Sequence, residues 1–132
     1  MRILLLTALT LLVGCASGQW GTAVDGIRLQ AQVDPADAGN VVLTLENGST
    51  QAISYNLCTS ALERSTNGSW TAVPEDRVCT MELRSLTPGN TATFTATLPP
   101  GAQAGEYRYS TNVERDAGGR VTVSSNSFRV GS

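Results

Sequence analysis

From Gly26 onward, apolar side chains recur at every second position, and turn residues interrupt that rhythm at short intervals. Period two marks a strand with one buried and one wet face, and no stretch of this region carries a 3.6-residue period. In "GIRLQAQV", Ile27, Leu29, Ala31 and Val33 form one row and Arg28, Gln30 and Gln32 the other, until Asp34-Pro35 stops the strand. "NVVLTL" repeats the pattern through Val41, Leu43 and Leu45 and ends at Glu46-Asn47-Gly48; "QAISYNL" does so through Ile53, Tyr55 and Leu57. "ALERSTNGSWTAV" predicts a hairpin closed at Asn67-Gly68, a strong short hairpin signal. A long connection, Pro74 to Asn90, carries Cys79 and ends in the turn "TPGN".

In the C-terminal half, "TATFTATL" sets Ala92, Phe94, Ala96 and Leu98 against outward threonines, and "GEYRYSTNV" aligns Tyr107, Tyr109, Thr111 and Val113. After "DAGGR", Val121 and Val123 fall on odd positions but Phe128 and Val130 on even ones. One extra residue near Ser125 keeps both pairs inside, which predicts a bulge or kink there. Seven or eight such strands imply an all-β, antiparallel two-sheet sandwich, with an up-and-down barrel as the alternative.

The 132 residues suit one domain. A net charge of −2 with scattered charges leaves no basic stripe, so nucleic acid is not an expected partner. All nine basic residues are arginine. Without histidine or lysine there is no Ser-His-Asp triad, Ser-Lys dyad or Schiff base, and the motifs GxSxG and GxxxxGK[ST] are missing. No catalytic residue, metal site or cofactor is expected. Glu75 and Asp76 read as solvated loop charges, too few oxygens for calcium.

Residues 1–14, "MRILLLTALTLLVG", have the layout of a secretory signal: Arg2, an apolar run from Ile3 to Val13, then a small residue. As a helix that run measures about 16 Å, short of a bilayer core of about 30 Å. Leu12-Val13-Gly14-Cys15 resembles the lipobox of bacterial lipoproteins. The resemblance implies cleavage before Cys15, acylation of its sulfur and a membrane anchor in the cell envelope. Ala16 after the cysteine implies the outer membrane in a Gram-negative host. Each buried methylene contributes about 0.8 kcal/mol, so two or three chains hold permanently where one holds marginally. Cys58 and Cys79 then remain in an oxidising compartment, where pairing is the expected outcome. Residues 15–25 read as the lipidated cysteine plus a short tether merging into the first strand, and residues 26–132 as the folded domain.

"LTPGNTATFTATLP", "AGEYRYSTNV" and "SNSFRV" together resemble the last three strands of bacterial immunoglobulin-like domains, an architecture similar to the intracellular proteinase inhibitor of bacilli. Gly105-Glu106-Tyr107 is placed like a tyrosine corner, whose phenol bonds back to upstream backbone. Unlike antibody-type domains, the chain has Tyr109 where the second core cysteine would stand, so the disulfide is expected to pin a loop to a strand end. The resemblance implies a non-catalytic binding or accessory module with a protein partner, and a monomer is expected; a proteinase inhibitor or a structural envelope component are the alternatives. The expected contact surfaces are the stretch 58–79, with Arg64, Asn67 and Trp70, and the turn from Asp116 to Arg120.

Overall fold

The computed structural model describes residues 19–131. Among these residues, ten strands form two antiparallel sheets. The smaller sheet runs β1 (Ile27–Asp34), β2 (Asp37–Asn47) and β7 (Thr91–Thr97), with β2 in the centre. The larger is organised around β8 (Gly105–Arg115). One edge of β8 pairs with β4 (Ala61–Thr66) and then β3 (Ile53–Tyr55); the other pairs with β10 (Phe128–Val130) and then β9 (Arg120–Ser124). β5 (Ser69–Ala72) adds to β4, and β6 (Arg84–Leu86) adds to β3.

Breaks separate β3 from β4 and β9 from β10 beside β8, and the second of these, with β6, raises the eight strands read from the sequence to ten. Between β3 and β4 the chain makes a single 3-10 turn, Leu57–Thr59. Between β9 and β10 the break has the predicted origin. Ser124 opposes Ser110 and Phe128 opposes Tyr107, so one strand advances four positions while its partner advances three. The extra residue restores Phe128 to the core beside Val123. The other addition, β6, lies inside the long connection from Pro74 to Asn90; three residues, Arg-Ser-Leu, are too few to show a period.

The inward rows meet as the sequence requires. Ile27, Leu29, Val41, Leu43 and Leu45 from one sheet face Ile53, Leu62, Tyr109, Val113 and Val123 from the other, all with no exposed surface. Tyr107 and Tyr109 both stack on Phe128, with ring centroids 6.3 and 5.9 Å away. The Tyr107 phenol donates to the Gln103 carbonyl at 2.6 Å, the tyrosine corner anticipated at Gly105-Glu106-Tyr107. The β4–β5 hairpin turns at Asn67 and Gly68 with φ of 51° and 80°, the two positive values a type I′ turn needs.

Asn47, part of the turn signal Glu46-Asn47-Gly48 in the sequence, is fully buried. Its amide nitrogen donates to the carbonyls of Gln51 and Leu86 (2.8 and 2.9 Å), and its oxygen accepts from Ser49. It ties the end of β2 to the end of β6, across the two sheets. Ahead of β1, Gly21 donates to the Leu29 carbonyl at 2.9 Å and Arg28 stacks 4.1 Å over the Trp20 ring, so the chain lies along β1 before that strand begins.

Candidate functional site

Beyond β5 the chain runs eleven residues, 73–83, without a turn, bend or bridge. Val73 closes the hairpin by donating to the Leu62 carbonyl at 2.8 Å, and Pro74 then withholds a donor. Val73, Glu75, Arg77 and Cys79 turn partly inward while Pro74, Asp76, Val78 and Thr80 face solvent, so the segment is an extended strap. From Thr80 to Arg84 every residue is exposed. It fills the side of the sandwich between β7 and the β3–β4 break.

Three devices hold the strap. The Cys58–Cys79 disulfide joins it to the 3-10 turn, with Cα atoms 5.8 Å apart, and so pins a loop to a strand end. Asn56 works in two directions: its oxygen accepts from the Cys58 N–H at 3.2 Å, and its nitrogen donates to the Thr80 carbonyl at 2.7 Å. Arg77 donates to the carbonyls of Cys58 and Ser60 (3.0 and 3.4 Å), pairs with Glu75 at 2.7 Å, and lies 5.7 Å from the Phe94 ring. Glu75 is therefore not the solvated loop charge expected from sequence. It is drawn in by its partner, while Asp76 stays exposed.

Electrostatics beneath the strap follow from burial. Desolvation pushes the Glu75 carboxyl above its ordinary 4.5, and Arg77 and a backbone hydrogen bond to Leu62 only partly oppose it. Deeper in, the Tyr109 phenol has no partner in hydrogen-bonding geometry. Burial first, and then the Glu75 carboxylate, push it up to about 12 against the opposing Arg77.

Outward, the strap presents the large apolar side chains that the described residues leave exposed: Val78 at 95%, Met81 at 90% and Leu83 at 54%. Met81 and Leu83 border a hollow of about 250 Å³ with Asn56, Asn112, Glu114 and Arg120. On the other flank, a groove of about 530 Å³ separates residues 74–77 from Phe94, Thr95 and Thr97 of β7.

The residues singled out from sequence fall in two places. Arg64 pairs opposite Tyr107, near the start of β8, and donates to the Ala104 carbonyl at 3.0 Å. Asn67 stands at the same end, on the exposed hairpin tip. Trp70 lies on the outer sheet face, with the Arg108 guanidinium 4.4 Å above its ring. Asp116 is exposed in the turn beyond the far end of β8, and Arg120 pairs opposite Glu114, bonding it at 3.3 Å. An eleven-residue strand spans roughly 35 Å, so the hairpin and this turn are separate surfaces. Arg120 shares the hollow beside Met81 and Leu83, and Arg64 shares another with Val73 and Pro74 at the start of the strap. Cys15 lies outside the described residues. Met81 and Leu83 fall just past the stretch 58–79; the signal for them was three large apolar residues out of register around a cysteine. Among the described residues, no group of three acidic, cysteine or histidine side chains could hold a metal ion.

A family described as bacterial Ig-like domain matches residues 25–127. Among solved structures, a Bordetella pertussis protein designated ApaA superposes with a TM-score of 0.54 at 11% identity, covering 86% of this chain and 94% of the other. Northeast Structural Genomics Consortium target SoR45 does so with a TM-score of 0.55 at 15% identity, covering 83% and 90%. At such identities the likeness is one of fold. A search of curated proteins gives no match.

Proposed function

The chain belongs to the bacterial Ig-like domain family, and from that premise we propose that it is a lipid-anchored, extracytoplasmic binding module that offers its strap to a protein partner. The observation that carries the reading is the near-complete exposure of Val78 and Met81 on a segment held by a disulfide, an asparagine and an arginine. A fixed backbone loses little conformational freedom on binding, and exposed apolar side chains supply the desolvation that drives association. The lipobox-like Leu12-Val13-Gly14-Cys15 supports the anchor, and four residues take the chain from Cys15 to Gln19, at most about 14 Å. The module would then stand close to the bilayer with a surface for another extracytoplasmic protein.

The test uses cells producing the chain with a photo-crosslinking residue at Val78, Asn67 or Asp116, followed by mass spectrometry. The expected result is one protein captured from position 78, none from position 67, and acyl chains on Cys15. Capture from the hairpin tip alone would sink the assignment to the strap; a free thiol at Cys15 would sink the anchor.

A further inference from the structure

We propose that Cys79–Leu83 is a substrate-like loop that occupies the cleft of a secreted serine endopeptidase with an apolar primary pocket, Met81 being the anchor side chain. This rests on the reading of the strap as the binding surface and specifies its partner. Such endopeptidases grip an extended peptide along its backbone and select chiefly on the side chain that carries the scissile carbonyl. The strap meets those demands. It has no positive φ and no turn over eleven residues, and Thr80 to Arg84 all face solvent. Met81 is the large apolar side chain between two polar neighbours, Thr80 and Glu82, and is 90% exposed. The peptide bond offered is therefore Met81–Glu82.

What separates an inhibitor from a substrate is how the two sides of that bond are held. On one side, Cys79 is bonded to Cys58, and the Asn56 amide donates to the Thr80 carbonyl at 2.7 Å, one residue before Met81. On the other, β6 starts two residues after Glu82, with Arg84 opposite Tyr55 and Leu86 opposite Ile53. If the partner's serine oxygen bonds to the Met81 carbonyl carbon, the bond to the Glu82 nitrogen breaks and that nitrogen takes the serine proton through the partner's base. The new amine is still tied to the sheet beside the acyl group. It re-forms the peptide bond and returns the proton, so no net cleavage follows. Asn56 is the positioning residue, and Met81 supplies affinity.

The full chain, purified as its cell makes it, is titrated against chymotrypsin-, elastase- and subtilisin-type enzymes acting on small chromogenic peptides, with trypsin as the cationic-pocket control. Inhibition of at least one apolar-pocket enzyme is expected, with little effect on trypsin. Met81→Lys is expected to weaken the first by about 30-fold or more and to create inhibition of trypsin, as substitution of an anchor side chain should. Since Met81 is solvent-exposed, an unchanged melting curve will confirm that the variant is folded. Asn56→Ala is expected to convert slow or absent cleavage at Met81–Glu82 into turnover, while Met81 still directs the cut. The proposal falls if no apolar-pocket enzyme is inhibited, if Met81→Lys leaves inhibition as it was, or if the wild-type loop is cut rapidly and the enzyme stays active. Crosslinking from position 81 to a protein without endopeptidase activity would overturn this proposal while leaving the binding-module reading intact.

Discussion

The two long sides of the sandwich are finished by opposite means. Where β1 meets β9 and β10, the gap is closed by backbone and its imitation. The Asn126 side chain accepts from the Ala31 N–H at 2.8 Å and donates to the Ala31 carbonyl at 2.9 Å, as a neighbouring strand residue would. Leu29 bridges to Ser125, and Gly21 fits so closely that a Cβ there would lie 1.9 Å from the Ser124 oxygen. The Ala31 N–H and carbonyl are thus both answered from within. On the strap side the fastening includes a disulfide and an ion pair, and Val78, Met81 and Leu83 point away from the core. A side chain of that size contributes about 1.5–3 kcal/mol when buried. Folding alone therefore gives no reason for Val78 and Met81 to stand outside, whereas binding does.

The contrast can be broken from either side. Replacing both Cys58 and Cys79 by serine should have the largest effect, about 3 kcal/mol in urea unfolding. Hydrogen exchange should rise along 74–83 and stay unchanged at Ala31. Asn126→Ala should do the reverse at about 2 kcal/mol, because it leaves two backbone groups of Ala31 unanswered; fast exchange at Ala31 with a quiet strap is the signature. If either variant loosened both sides equally, the sides would not be independent.

Arg77→Met should cost about 1.5 kcal/mol at neutral pH by stranding the Glu75 carboxylate in a partly buried site. Glu75 holds its proton more tightly folded than unfolded, so its charge weakens the fold above its raised value. That penalty is relieved as the pH falls toward 4.5. The variant lacks the opposing guanidinium and should therefore recover relative to wild type over this interval, as melting at several pH values would show. The smallest effect at neutrality belongs to Tyr109→Phe, neutral or stabilising by up to about 1 kcal/mol, because its hydroxyl is buried without a partner. Unfolded tyrosine loses its proton near 10.0 and the folded phenol near 12, so wild type should lose about 1.4 kcal/mol per pH unit across that window. The phenylalanine variant should lack that slope.

What was legible in the sequence is what depends on neighbours along the chain. Alternation at Ile27–Val33 and Thr91–Leu98, the Asn67-Gly68 turn, the tyrosine corner and the additional residue near Ser125 are all local patterns. The fastenings are not. Asn126 finds Ala31 across 95 positions and Asn56 finds Thr80 across 24; an asparagine bonding a distant backbone looks like any loop asparagine. Asn47 has the look of turn chemistry because Gly48 follows it, although its amide is a buried cross-tie. Glu75 and Arg77 were two charges in a loop until the strap folded inward and made them a pair. A surface at 58–79 is legible from its cysteines; the particular side chains on display depend on which register the strap adopts, and no nearby residue encodes that.

The position of β8 near the end of the chain sets the order in which the molecule can be built. Four strands flank it directly, and two of them, β3 and β4, precede it by some forty to fifty positions. A polypeptide delivered N-terminus first, from a ribosome or through a pore, therefore carries its early hairpins without a common support until residues 105–115 arrive. Assembly of the larger sheet is a late, nearly simultaneous event, and a molecule truncated before Gly105 would be left with side chains whose hydrophobic partners had never been made.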